Sequence, residues 1–279
     1  MNLKENLTNH LQELIRERDP YFAKIGHLYV QEYIYQQLSQ WGKVERWEFA
    51  YRGKNHQNLI LNLPGKSPNK NPILIGAHYD SVPGSPGADD NASGVAVLLE
   101  LARAIALNPS NYPIQLVAFD LEEYGLIGSN EYAKFLHEKN QKLRLMISLE
   151  MLGYCDSNPG SQNYPPGLKY LYPAQGDYIA VIGNLSILPD LINISNQMKS
   201  INIPCEWLPV FNKGLMIPST RLSDHSSFWD EGYNAIMITD TAFMRNPHYH
   251  KSSDTIHTLN LDFLSGICQG LINQLTVIS

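Results

Sequence analysis

The segment from Pro72 to Leu101, PILIGAHYDSVPGSPGADDNASGVAVLLEL, restricts the fold of this chain more than any other. Ile73 to Ala77 is apolar nearly throughout, the pattern of a strand covered on both faces in a parallel or mixed sheet. His78 and Asp80 stand at its C-terminal end. A loop rich in glycine and proline follows, and Asp89 and Asp90 then open an apolar helix. Ligands of open α/β sheets collect at the carboxyl ends of strands, so an imidazole and acids placed there are candidates for chemistry. Taken alone, the Asp89–Asp90 pair reads as capping for the helix behind it, and His78 at the preceding strand end is what weakens that reading.

The rest of the chain continues the same alternation. Helical spacing over 2–18 and 22–41 precedes two alternating segments, 43–51 and 57–63, that read as paired strands forming an antiparallel edge. Strands are then expected at 73–78, 114–120, 143–149, 178–183 and 234–239. Helices are expected at 91–107, 127–139, 187–200, 223–231 and 261–275. Strands separated by helix-length segments require crossovers, which implies a three-layer α/β/α fold with a mixed, mostly parallel central sheet. With 279 residues, 43% of them hydrophobic, the chain can bury one sizeable core. The Pro/Gly-rich stretches 64–72, 81–87 and 158–176 read as loops rather than linkers. A single domain over 1–279 is expected, with 1–42 as a helical segment packed on it.

Composition narrows the partners. A net charge of −6 with no dense Lys/Arg run argues against a nucleic-acid partner. No apolar run approaches the roughly 20 residues of a membrane span, so no membrane partner is expected either. The N-terminal residues carry charges throughout, unlike a signal peptide. Cys155, Cys205 and Cys268 form no CxxC pair, which fits a reducing compartment and a cytoplasmic protein.

Further acids sit where strands end. Glu122 and Glu123 follow the strand 114–120, and two carboxylates facing one low-dielectric site repel unless a cation intervenes. Either they enter the next helix as a solvated turn, or one binds a metal and the other serves as general base. Glu150 ends the strand 143–149 and is costly if buried unpaired. His248 and His250 lie in the loop after the strand 234–239. Met151, Tyr154 and Phe243 are candidate pocket walls, and the aromatic loop 155–177 is long enough to form a rim over the site or a flap packed on the sheet.

In order along the chain, GAHYDSVPGSPGADDNASG, FDLEEYGLIGS, SLEMLGY, SDHSSFWDEG and HYHKSSDT resemble the zinc-dependent aminopeptidase family with a co-catalytic metal pair, peptidase family M28. The matches run from about residue 57 to the end of the chain. The resemblance implies a zinc-exopeptidase fold and two zinc ions per chain. His78 and Glu150 would serve one ion, Glu123 and His250 the other, and Asp90 would bridge both. Glu122 would be the general base and Asp80 the carboxylate that orients His78. A peptide is the implied substrate, attacked at its N-terminal bond by a water polarised between the metals. Many peptidase relatives carry Asp where this chain has Glu150, and His248 competes with His250. Asp224 and His225 belong to the family's SDH pattern and are given no metal role, capping of the helix at 223–231 being their alternative.

Three other readings use the same fold. A glutaminyl cyclase would hold one zinc, although the uninterrupted EEYGLIGS run fits peptidases better. A carboxypeptidase for acidic residues would need a basic pocket, with Arg221 and Arg245 the nearby cations. A non-catalytic binding protein would lack ligands that this chain retains.

Overall fold

The computed structural model describes residues 2–277; Met1, Ile278 and Ser279, which the single-domain reading includes, lie outside the described residues. Helices are α1 (Leu3–Leu14), α2 (Lys24–Ser39), α3 (Gly94–Leu107), α4 (Ile127–Glu138), α5 (Leu188–Ser200), α6 (His225–Asp230) and α7 (Leu261–Val277). Strands are β1 (Val44–Tyr51), β2 (Lys54–Leu63), β3 (Ile73–His78), β4 (Ile114–Phe119), β5 (Leu145–Glu150), β6 (Ile179–Asn184), β7 (Cys205–Val210) and β8 (Ala235–Thr239). They form one sheet in the order β1-β2-β4-β3-β5-β8-β6-β7.

Alternation along each strand divides the interior into two cores. Ile73, Ile75 and Ala77 of β3 pack with α1, α2, α3, α5 and α7 on one face, while Leu74 packs on the other face with Tyr132 and Leu136 of α4 and Phe228 and Trp229 of α6. The result is the three-layer architecture expected from the alternating elements. β4, β3, β5 and β8 run parallel, so their carboxyl ends share one edge of the molecule. Among the described residues every polar side chain of the candidate site projects from that edge or from the loops beyond it.

Several details differ from the sequence reading. α1 stops at Leu14 rather than 18, and residues 15–23 form a connector containing Arg18 and Asp19. The Asp19-Pro20 step disfavours helix at residue 19. Residues 91–93, read as the start of the helix 91–107, belong instead to a wide π-type turn over Ala88–Ser93 whose Asp90 and Asn91 have non-helical backbone angles. The Asp90–Asn91 peptide is cis. β6 runs antiparallel to β8, because the chain returns through the long 151–178 loop rather than a helical crossover. β7 was not anticipated at all: CEWLPV is half-exposed, carries Pro209 and lies at the sheet edge, where proline is tolerated.

Candidate metal centre

Two strand ends deliver the first acids and the first imidazole. His78 is the last residue of β3, and its Nε2 lies 3.2 Å from Asp90 Oδ1, 3.7 Å from Glu150 Oε1 and 4.0 Å from Glu122 Oε2. The second imidazole arrives from the 240–260 loop. His250, held at a φ of 57°, places Nε2 at 3.1 Å from Asp90 Oδ2 and 3.3 Å from Glu123 Oε2, with the Tyr249 ring stacked on it at 3.7 Å. The contacts therefore fall into two sets that share Asp90. His78, Glu122 and Glu150 can each bring one ligand atom within 4.8 Å of the others, as can His78, Asp90 and Glu123.

The loops are held by hydrogen bonds that aim these groups. Asp254 accepts from the backbone N–H of Asp89 at 3.0 Å and of Asp90 at 3.2 Å. Asn91 accepts from Gly94 and Met151 N–H and donates to the Leu149 carbonyl, which ties the turn to the end of β5. Asp80 accepts from Glu122 N–H at 3.1 Å and Glu123 N–H at 3.2 Å. Its distance to His78 Nδ1 is 3.4 Å, an ion-pair separation without hydrogen-bond alignment, so Asp80 braces the glutamate turn at least as directly as it faces the imidazole. Ser223 donates to Glu150 Oε2 at 2.7 Å.

Other sequence candidates lie elsewhere. Asp89 does not join the centre or cap α3; its buried carboxylate accepts from Gly153 N–H at 2.8 Å and Asn246 Nδ2 at 2.7 Å. His248 is turned to Ser253, its Nδ1 2.9 Å from Oγ. Asp224 makes no side-chain cap on α6, and both its buried oxygens lack a hydrogen-bond partner. Met151 is fully buried and Tyr154 packs on His248, whereas Phe243 does line a cavity beside Glu150. Sequence reasoning missed Arg18, which lies outside the family motifs, and the buried His27–Asp120–His56 cluster behind the glutamate turn.

Electrostatics identify what the cluster fits. Burial alone would lower the His78 pKa, but the surrounding carboxylates, led by Glu122 and Glu150, hold it well above the imidazole range. His250 is opposed by burial in the same way, and its bonds to Asp90 and Glu123 push it up to about 10. Burial pushes Glu122 well above the carboxylate range, opposed by His78 and reinforced by Glu150 and Glu123. Burial, with Asp90 beside it, takes Glu123 to about 7. Asp90 moves down despite burial because both imidazoles bond to it. So many acids around two imidazoles demand added positive charge. Protons supply it in these shifts, and divalent cations can supply it with better matched ligands. The donor set is imidazole and carboxylate without thiolate, and the buried Glu123 Oε1 has no protein partner, both of which fit zinc or a similar ion.

The cavity next to Glu150 is mostly apolar. β6, β7 and β8 contribute Ala180, Ile182, Trp207, Leu208 and Met237, and the 155–177 loop covers it with Tyr164, Pro165, Leu168 and Tyr172. Glu150 and Glu206 are its acids, and no Lys, Arg or His is on its wall among the described residues. Arg221 bonds to Asp230, and Arg245 bonds to Gln162 and the Tyr178 carbonyl, so neither supplies the basic pocket an acidic-residue carboxypeptidase would need.

The model of peptidase family M28 matches residues 58–187. The protein YfbL of Escherichia coli is 39% identical over 252 residues, 85% of this chain and 76% of that protein. Aminopeptidase YwaD of Bacillus subtilis is 38% identical over 126 residues, 41% of this chain and 28% of that one. Among solved structures, LapA aminopeptidase of Legionella pneumophila superposes with a TM-score of 0.77 at 20% identity, covering 99% of this chain and 73% of LapA. A glutaminyl cyclase of Tannerella forsythia superposes at 0.72 with 19% identity and 99% coverage of both chains. At these identities the two superpositions establish the fold alone.

Proposed function

Since this chain belongs to peptidase family M28, we propose that it is a two-zinc aminopeptidase that removes N-terminal residues with apolar side chains from peptides. The observation that carries this reading is the shared carboxylate: each oxygen of Asp90 faces one imidazole, with Glu150 beside His78 and Glu123 beside His250. One zinc would be held by His78, Asp90 and Glu150, the other by His250, Asp90 and Glu123. When bound, such a pair supplies Lewis acidity to the scissile carbonyl and acidity to the attacking water.

The protein groups divide the remaining work. Glu122, 4.0 Å from His78 Nε2 and within ligand reach of His78 and Glu150, is the carboxylate left over once each ion has its three ligands, and it accepts the proton of the attacking water and returns it to the leaving amine. Burial and neighbouring carboxylates raise its proton affinity, which suits a base that must give the proton back. Asp80 fixes the backbone of both glutamates, so Glu122 and Glu123 move together. The apolar cavity accepts the first side chain, and the carboxylate of Glu206 on a wall without Lys, Arg or His among the described residues favours a free α-ammonium over a substrate carboxylate.

The presence of His78 and Glu150 beside Asp90, in addition to His250 and Glu123, supports a metal pair over the single zinc of a cyclase. Hydrolysis of leucyl peptides against their N-acetylated counterparts, with cyclisation of N-terminal glutamine measured in parallel, tests the choice. Cleavage that needs a free amine supports the aminopeptidase; cyclisation without cleavage overturns it.

A further inference from the structure

Residue Arg18 lies in the connector between α1 and α2, 1% exposed, with no carboxylate of the described residues in ion-pair contact. Its five donors are spent on carbonyl oxygens. Nε donates to Tyr79 at 2.9 Å, Nη1 to Pro86 at 2.5 Å and more weakly to Leu14 and Arg16, and Nη2 to Gly87 at 2.8 Å and Asp90 at 3.1 Å. Its own N–H donates to Ser81 Oγ at 3.2 Å. One guanidinium thus grips both ends of the 79–90 loop, from the residue after His78 to Asp90 itself. Gly87, at a φ of 59°, sits so close that an added Cβ would overlap both the Asp90 carbonyl and the guanidinium. The neighbouring Asp19 binds the other half of the site: its carboxylate accepts from Tyr124 Oη at 2.7 Å, one residue past Glu123.

We propose that Arg18 is a positioning residue for the metal centre, setting the loop that aims the Asp90 carboxylate between the two imidazoles. The inference rests on the metal-centre reading above. It gives the N-terminal segment a task that its sequence does not announce. The planar fork matters more than the charge, because a lysine has three donors on one nitrogen and cannot span carbonyls spread around the edge of a guanidinium from Nε to both Nη atoms. Burial opposes the charge on this guanidinium, and the field of Asp90, Asp254 and Asp80 counters part of that cost.

The test uses full-length protein stripped with a chelator, zinc as the probe, and the variants Arg18→Lys, Arg18→Met and Gly87→Ala. Zinc dissociation constants from chelator competition are expected to rise by about 10- to 100-fold in Arg18→Lys, the range for partners that orient metal ligands. The visible spectrum of the cobalt(II)-loaded variant should change, and kcat at saturating metal should fall while KM holds, since Arg18 is not on the cavity wall. Gly87→Ala perturbs the same contact from the opposite side and should act alike. A role confined to folding would lower Tm but leave the zinc affinity, cobalt spectrum and kcat of the folded protein unchanged, and that result overturns the proposal. Wild-type protein that binds no zinc would overturn the metal-centre reading, and this proposal with it.

Discussion

Replacing Glu122 by glutamine removes one function while keeping nearly every contact. The amide is isosteric with the carboxylate, and the backbone N–H that anchors residue 122 to Asp80 is untouched. Five ligand candidates, His78, Asp90, Glu123, Glu150 and His250, remain, so the metal content should remain near two per chain. Burial and the like charges of Glu150 and Glu123 already oppose ionisation of Glu122, so the neutral amide should not lower the folding stability of the stripped protein. What is lost is the base, and positioned general bases contribute about 10²- to 10⁴-fold. At 1.36 kcal/mol per decade that raises the barrier by about 3 to 5.5 kcal/mol. Glu122 is not on the cavity wall, so the loss should appear in kcat rather than KM. The assay is steady-state hydrolysis of a leucyl peptide at saturating zinc, with zinc content measured on the same sample. A metal-replete Glu122→Gln protein whose kcat stays within about threefold of wild type would refute the assignment of the base.

Other consequences are separable from that one. Folding of the stripped protein should weaken as pH rises: Glu123 and His250 both have folded pKa values above their unfolded ones, so the contribution of His250, present below about 6.5, is lost as pH passes about 10, and that of Glu123 is lost between about 4.3 and 7. Urea midpoints that rise across this window would contradict the shifts. At pH 7 zinc must displace the proton from His250, so calorimetric binding enthalpies should vary with the ionisation enthalpy of the buffer; buffer-independent enthalpies would mean that no proton leaves. Gly76→Ala would drive a Cβ into the Phe119 ring and should destabilise by about 1–3 kcal/mol, read as a lower urea midpoint. Ala180→Leu narrows the apolar cavity and should cut kcat/KM for leucyl substrates by about tenfold relative to alanyl ones; equal effects on both would place the first side chain elsewhere.

Much of the fold was readable because burial leaves a periodic trace. β3, β4, β5 and β8 are apolar on both faces and their strand ends carry acids or histidines, so both the sheet and the edge bearing the polar cluster could be inferred. Strand direction leaves no such trace, which is why the antiparallel setting of β6 was not expected. β7 escaped because an edge strand buries too little to impose alternation. Within the site, the motif residues come together; the family motif singled out Asp90 over Asp89, and the physical basis of their separation is a non-helical turn that periodicity does not announce. Arg18 was invisible for a different reason: its partners are carbonyl oxygens, which every residue has.

A metal pair serving a reaction at a free amino terminus has two halves, metal stoichiometry and the need for a free amine. Titrating stripped protein with zinc, while following hydrolysis of a leucyl peptide and its N-acetylated twin, addresses both halves at once. Saturation at about two zinc per chain, with cleavage of the free peptide alone, is the expected result. Saturation at about one zinc with cyclisation of N-terminal glutamine and no cleavage, or no binding and no turnover, would contradict it.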